Sequence, residues 1–143
     1  MEHKNGFTLL EILVVVMIVT ILGTIVAVRV LPELGKARSS KAVAQIANFQ
    51  TALKLYHLDN KRYPTQQQGL QALCTAPTRP PLPANYRPGG YLEKPGIPED
   101  PWGGQYVYLI PGAGGAEYEV ICYGADGEPG GDGEAADISS LDL

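Results

Sequence analysis

A chain of 143 residues with a formal net charge of −4 has room for one small domain and little for a second core. Its hydrophobic fraction of 45% overstates that core, because a single N-terminal run holds much of it. Charge is lopsided: no Lys or Arg follows Lys94, while Glu99, Asp100, Glu117, Glu119, Asp126, Glu128, Asp132, Glu134, Asp137 and Asp142 do, which sets the distal half against phosphates and excludes a nucleic-acid partner.

The first element is a polar leader, residues 1–6, closed by Gly6. The apolar run Phe7 to Val28 follows, with Glu11 as its only charge. A hydrocarbon core of ~30 Å needs roughly 20 apolar residues in helix, so this run is long enough to span a membrane. A secretory signal would want a basic n-region, a shorter apolar core and a small-residue cleavage site after it. Only Lys4 is clearly basic here, and no such site follows.

An ordinary anchor does not explain Glu11. A carboxylate within a bilayer costs at least a few kcal/mol and marks function by default. No basic residue lies within a turn or two on its C-terminal side, so its partner comes from outside the segment. Cleavage between Gly6 and Phe7 would create an ammonium group at Phe7. In a bundle of parallel copies, the Phe7 amine of one subunit would neutralise Glu11 of its neighbour.

Gly6-Phe7-Thr8-Leu9-Leu10-Glu11 and the run behind it resemble the class III signal of type IV pilins and pseudopilins. The resemblance implies an inner-membrane prepilin peptidase that cuts after Gly6 and methylates the new amine of Phe7, with Glu11 as the assembly acid. The charge rule, with Lys4 on one side and Arg29, Lys36, Arg38 and Lys41 on the other, would put the C-terminal domain in the cytoplasm. The resemblance implies the opposite: a single-pass protein of a Gram-negative inner membrane with its C-terminal domain in the periplasm.

Beyond the transmembrane and assembly helix, 7–31, helical periodicity continues over 32–59. Ala42, Ile46, Phe49, Leu53 and Tyr56 recur at alternating four- and three-residue steps, which gives one apolar face. A helix from Phe7 to about Leu58 would be ~75–80 Å long. Pro32 and Gly35 predict a kink or local melting at the membrane edge. The head occupies 60–143. Pro64 stops the long helix, and Thr65-Gln66-Gln67-Gln68 reads as a capping box opening a short helix to about Leu73. Prolines then recur too densely up to Pro101 for helix or central strand, leaving a long loop with a short edge strand near Tyr91-Leu92.

Two strands follow, Gln105–Ile110 and Glu117–Cys122, joined through Pro111 to Ala116 as a hairpin. Two strands alone are marginal in water, so they must lie on the amphipathic half of the long helix, where Phe49, Leu53 and Tyr56 meet the sheet. The expected class is α+β and type IV pilin-like: a long N-terminal helix on a small antiparallel sheet, with a C-terminal calcium loop.

That last loop brings Asp126, Glu128, Asp132, Glu134 and Asp137 within a dozen residues, among Gly127, Gly130, Gly131 and Gly133. Ca²⁺ takes six to eight oxygens on a backbone free to turn, and both are on offer. Asp126, Gly131 and Asp137 fall at the first, glycine and last positions of an EF-hand loop, but a strand precedes it and Pro129 sits inside, which argues against that motif. Cys74 and Cys122, the only cysteines, are candidates for a disulfide, with unpaired thiols as the rival reading. His3 and His57 form no catalytic arrangement with a nucleophile, and the glycines from Gly112 to Gly115 read as a turn.

Asp100-Pro101-Trp102-Gly103 before one strand, and Tyr123-Gly124-Ala125-Asp126-Gly127 after the other, narrow the resemblance to the major, G-type pseudopilin family of the type II secretion system. It implies no enzyme but a homopolymer, the periplasmic pseudopilus, that helps drive folded proteins through an outer-membrane secretin. It also implies minor pseudopilins and an inner-membrane assembly platform as partners, and one structural Ca²⁺. The carried-over ligands are Asp126 and the Tyr123 carbonyl, with Asp132 and Asp137 as further candidates. A type IV or competence pilin, and an anchored periplasmic calcium protein that never polymerises, are the alternatives.

Overall fold

The computed structural model describes residues 7–143, with 25–32 described only as helical backbone. The chain divides into two compact units, one up to Lys36 and one from Ala37 to Leu143.

One helix, α1, runs Leu9–Asn60. Its start is fixed by a reciprocal cap: the Glu11 N–H donates to Thr8 Oγ1 at 3.2 Å, and the Thr8 N–H to Glu11 Oε2 at 3.4 Å. In the first unit every described side chain from Phe7 to Thr24 is exposed. The Thr20 and Thr24 hydroxyls donate back to the Val16 and Thr20 carbonyls, so neither asks for an outside partner. Among the described residues no helix is long and apolar enough to cross a membrane. The expected span to Val28 draws on 25–32, outside the described side chains, whereas the local melting expected at Pro32 and Gly35 does not occur, because α1 stays helical through both.

In the second unit the helix becomes amphipathic as its spacing requires. Ala42, Ile46, Phe49, Leu53 and Tyr56 are buried, and Phe49 meets Tyr106 edge to face with ring centroids 5.0 Å apart. The helix ends on Lys61, at φ +59°, whose N–H donates to the His57 carbonyl at 2.7 Å. The Thr65–Gln68 capping box forms in both directions, at 3.3 and 3.0 Å, but what it opens is a turn and a short 3₁₀ segment, Leu70–Leu73, instead of an α-helix. Gln68 also donates to the carbonyls of Arg79 and Pro81, which fastens the proline-rich loop.

The sheet has three antiparallel strands in the order β1 (Val107–Leu109), β2 (Glu119–Cys122) and β3 (Ile138–Ser139). Tyr108 pairs with Val120, and Cys122 with Ile138. The hairpin is as expected, with both strands shorter. The third strand is additional, and the edge strand expected near Tyr91-Leu92 does not form. There the Tyr91 N–H reaches the Leu73 carbonyl at 2.7 Å, and Pro88, Pro95 and Pro98 deny the segment a ladder.

Candidate functional site

The N-terminal site is an acid at a helix start. Phe7 is exposed, and the Glu11 carboxylate caps its own helix through Thr8. Gly6, the expected cleavage residue, lies outside the described residues.

The C-terminal loop is built on glycine. At Gly124, φ +64°, an added Cβ would lie 2.7 Å from the Glu134 carbonyl oxygen; at Gly131, φ +84°, it would lie 2.5 Å from that of Ala135. Only glycine lets the two sides of the loop approach this closely. The Ala125 N–H then donates to the Glu134 carbonyl at 2.9 Å and closes the loop.

Within it, Asp126 Oδ1 accepts the Glu128 N–H at 3.2 Å, and Asp137 Oδ2 accepts the Gly130 N–H at 2.9 Å. Asp132 precedes a 3₁₀ turn at Gly133–Ala135 and makes no side-chain cap. Among the described residues no three acidic, His or Cys side chains are grouped to hold a metal ion. The loop therefore brings Asp137 to the turn at Gly130 without gathering Asp126, Asp132 and Asp137 into one cluster. Its donors, carboxylates and main-chain carbonyls, including that of Tyr123, are all hard oxygens on a tightly turning backbone. That set fits Ca²⁺ in kind.

Two acids missed as structural groups bear on this loop, one beside it and one within it. Asp100 is buried, and its Oδ1 accepts the N–H groups of Trp102 at 2.8 Å and Gly104 at 2.9 Å. Glu134 turns its carboxylate outward, to Arg38 of α1 and the Trp102 indole, each at 3.5 Å. The Asp100-Pro101-Trp102-Gly103 run is a turn signal from which the first was recoverable; nothing local announces the second.

Cys74 and Cys122 are both free thiols. Cys122 is fully buried at the end of β2, with its Sγ donating to Asp100 Oδ2 at 3.6 Å. Cys74 follows the 3₁₀ segment on the side of the proline-rich loop, so the candidate disulfide is not made. Burial first, with Asp100 adding to it, pushes the Cys122 thiol up to about 11, and burial raises Cys74 as well. At pH 8 the folded protein should therefore alkylate slowly at Cys122, because the thiolate is the nucleophile. Two thiols should appear at once in denaturant without reductant; none there would restore the disulfide.

A groove of about 590 Å³ lies between Gln45, Asn48 and Thr51 of α1 and the loop from Leu92 to Pro98. Its rim carries Glu93 and Lys94, which form no nucleophile and base pair.

The family model described as "Type II secretion system (T2SS), protein G" matches residues 29–141. A second, "Prokaryotic N-terminal methylation motif", matches residues 1–27. Type II secretion system core protein G of Vibrio cholerae serotype O1 is 48% identical over 143 residues, all of this chain and 95% of that protein. The core protein G of Pseudomonas aeruginosa is 44% identical over 141 residues, 99% of this chain and 97% of that one. Among solved structures, the major pseudopilin from the type 2 secretion system of enterohaemorrhagic Escherichia coli superposes with a TM-score of 0.65 at 40% identity, covering 76% of this chain and 90% of that chain.

Proposed function

This chain belongs to the protein G family of the type II secretion system, and on that premise we propose how its parts serve a pseudopilus. It is a structural subunit and not an enzyme: a major pseudopilin, which polymerises into the pseudopilus for export of folded proteins. Its methylation motif implies a prepilin peptidase, and a pseudopilin of this kind fits a periplasmic pseudopilus anchored in the inner membrane.

The finer reading is ours. Residues 1–6 stay cytoplasmic and are removed at Gly6, Phe7 is methylated, the apolar part of α1 passes once through the inner membrane, and the head stands in the periplasm. Minor pseudopilins, the assembly platform and the secretin are the partners there. One observation carries this: the side chains from Phe7 to Thr24 are all exposed in the isolated chain, so the apolar surface needs lipid or other copies to cover it. The test is the intact mass of membrane-extracted protein from cells with and without the peptidase. Peptidase-dependent loss of Met1 to Gly6 with gain of one methyl group is the expected result. An uncut precursor in both would mean a permanent anchor.

The C-terminal loop holds one structural Ca²⁺, with Asp126 and the Tyr123 carbonyl as principal ligands and Asp132 and Asp137 contributing. The ion would offset repulsion among the loop carboxylates and so hold the loop in a single form. Ligand at about 100 times its Kd stabilises by about 2.7 kcal/mol. For a domain of this size each kcal/mol moves Tm by about 4–8 °C. Calcium at millimolar concentration should therefore raise Tm by roughly 10–20 °C over chelator. Equal melting in both removes the ion from the account.

A further inference from the structure

Glu134 faces two ways. Its main chain closes the C-terminal loop, since the carbonyl accepts the Ala125 N–H at 2.9 Å and lies where a Cβ on Gly124 would strike it. Its side chain leaves the loop, with Oε2 at 3.5 Å from both Arg38 Nη1 and Trp102 Nε1. Neither anchor belongs to the loop. Arg38 is on α1, and Trp102 sits in a turn whose N–H groups are held by the buried Asp100 carboxylate.

Electrostatics gives this arrangement a direction. Asp126, Glu128, Asp132 and Asp137 are acids of the same loop, and a fifth negative charge turned inward would add to their repulsion. The Arg38 guanidinium draws that charge outward, while the same residue's carbonyl keeps the loop shut. The Arg38 and Glu134 side chains are 50% and 46% exposed, so their ion pair adds little to global stability. What it governs is a short, solvent-facing loop, whose local opening has its own smaller free energy.

We propose that Glu134 is a positioning residue for calcium: by fastening the loop's closing turn to Arg38 and Trp102, it sets the loop's affinity for the ion without touching it. This rests on the calcium reading above. Groups that orient ligands from outside the coordination sphere commonly change metal affinity by about 10–100-fold when removed.

Trp102 is the chain's only tryptophan, and its indole touches Glu134, so emission at this one residue reports the closing turn. The full-length protein in detergent micelles is titrated with calcium against chelator, following tryptophan emission and, separately, calcium binding by calorimetry. Glu134→Ala should raise the calcium Kd roughly tenfold and shift Trp102 emission even in chelator. Arg38→Gln leaves every loop residue in place and should weaken binding in the same direction. An unchanged Kd in Glu134→Ala overturns the proposal. Weakening in Glu134→Ala with none in Arg38→Gln also overturns it, since Glu134 would then act on the ion directly. Absence of calcium binding in the unmodified protein overturns the calcium reading itself, and the inference with it, before any variant is compared.

Discussion

Phe49→Ala should destabilise the head by about 3–5 kcal/mol, the range for removing a buried aromatic ring from a core. Phe49 is 1% exposed, lies between Ile46 and Leu53 on the buried face of α1, and packs edge to face on Tyr106 at the entry to β1. Its core neighbours are held in place. Ile46 and Leu53 are themselves fully buried, and the Tyr106 ring is tethered by its hydroxyl, which donates to Gln45 Oε1 at 2.6 Å. Small domains have about 5–15 kcal/mol in total, so the variant should melt at much lower urea concentration with its slope unchanged. Leu58→Ala on the same helix is the control: Leu58 is 61% exposed, and its loss should fall within about 0.5 kcal/mol of zero. Equal effects at the two positions would show that the amphipathic half of α1 is not the floor of the head.

The contrast between those two positions was readable from the chain, because the four- and three-residue spacing from Ala42 to Tyr56 is a local property of one helix. So was the Thr65–Gln68 cap, whose partners stand three residues apart. What escaped depends on partners far away in sequence. Strand β3 is two residues long and offers one apolar side chain, Ile138, so it has no alternation to detect. It exists because β2 leaves an edge and Ser140 returns to it, accepting the Val120 N–H on its hydroxyl and donating its own N–H to the Val120 carbonyl, each at 2.9 Å. Glu119 is a second instance. Simple alternation with Val120 would turn it outward, yet it is buried, with Oε1 accepting the Ser139 hydroxyl at 2.7 Å and Oε2 the Ala113 N–H at 3.0 Å. A carboxylate is tolerable there only because both oxygens are bonded, by groups 20 and 6 residues away.

The candidate sites divide the same way. Asp126 to Asp137 was visible as composition, but which acids share a position depends on the glycine turns, and these bring Asp137 to Gly130 and turn Glu134 out toward Arg38. The two cysteines were countable, but their burial on different elements was not.

Glu11→Gln and Glu11→Leu should both abolish pseudopilus assembly while leaving leader removal intact, and the pair of substitutions separates two uses of one side chain. In the isolated chain Glu11 already has a local use: its carboxylate accepts the Thr8 N–H, completing the cap that starts α1. Glutamine keeps an acceptor oxygen at that position; leucine does not, and loses a cap worth about 1 kcal/mol. If the cap were the whole role, glutamine would assemble and leucine would fail. A carboxylate among apolar side chains costs at least a few kcal/mol unless it meets an opposite charge, far more than a cap returns. On the proposed reading, in which leader removal frees an amine at Phe7, a neighbouring copy would supply that charge, and glutamine could not pair with it. Sheared or cross-linked fibres and released exoprotein are the measurements. A glutamine variant that assembles like the unmodified chain would reduce Glu11 to a helix cap and leave the apolar run as the only force bringing copies together.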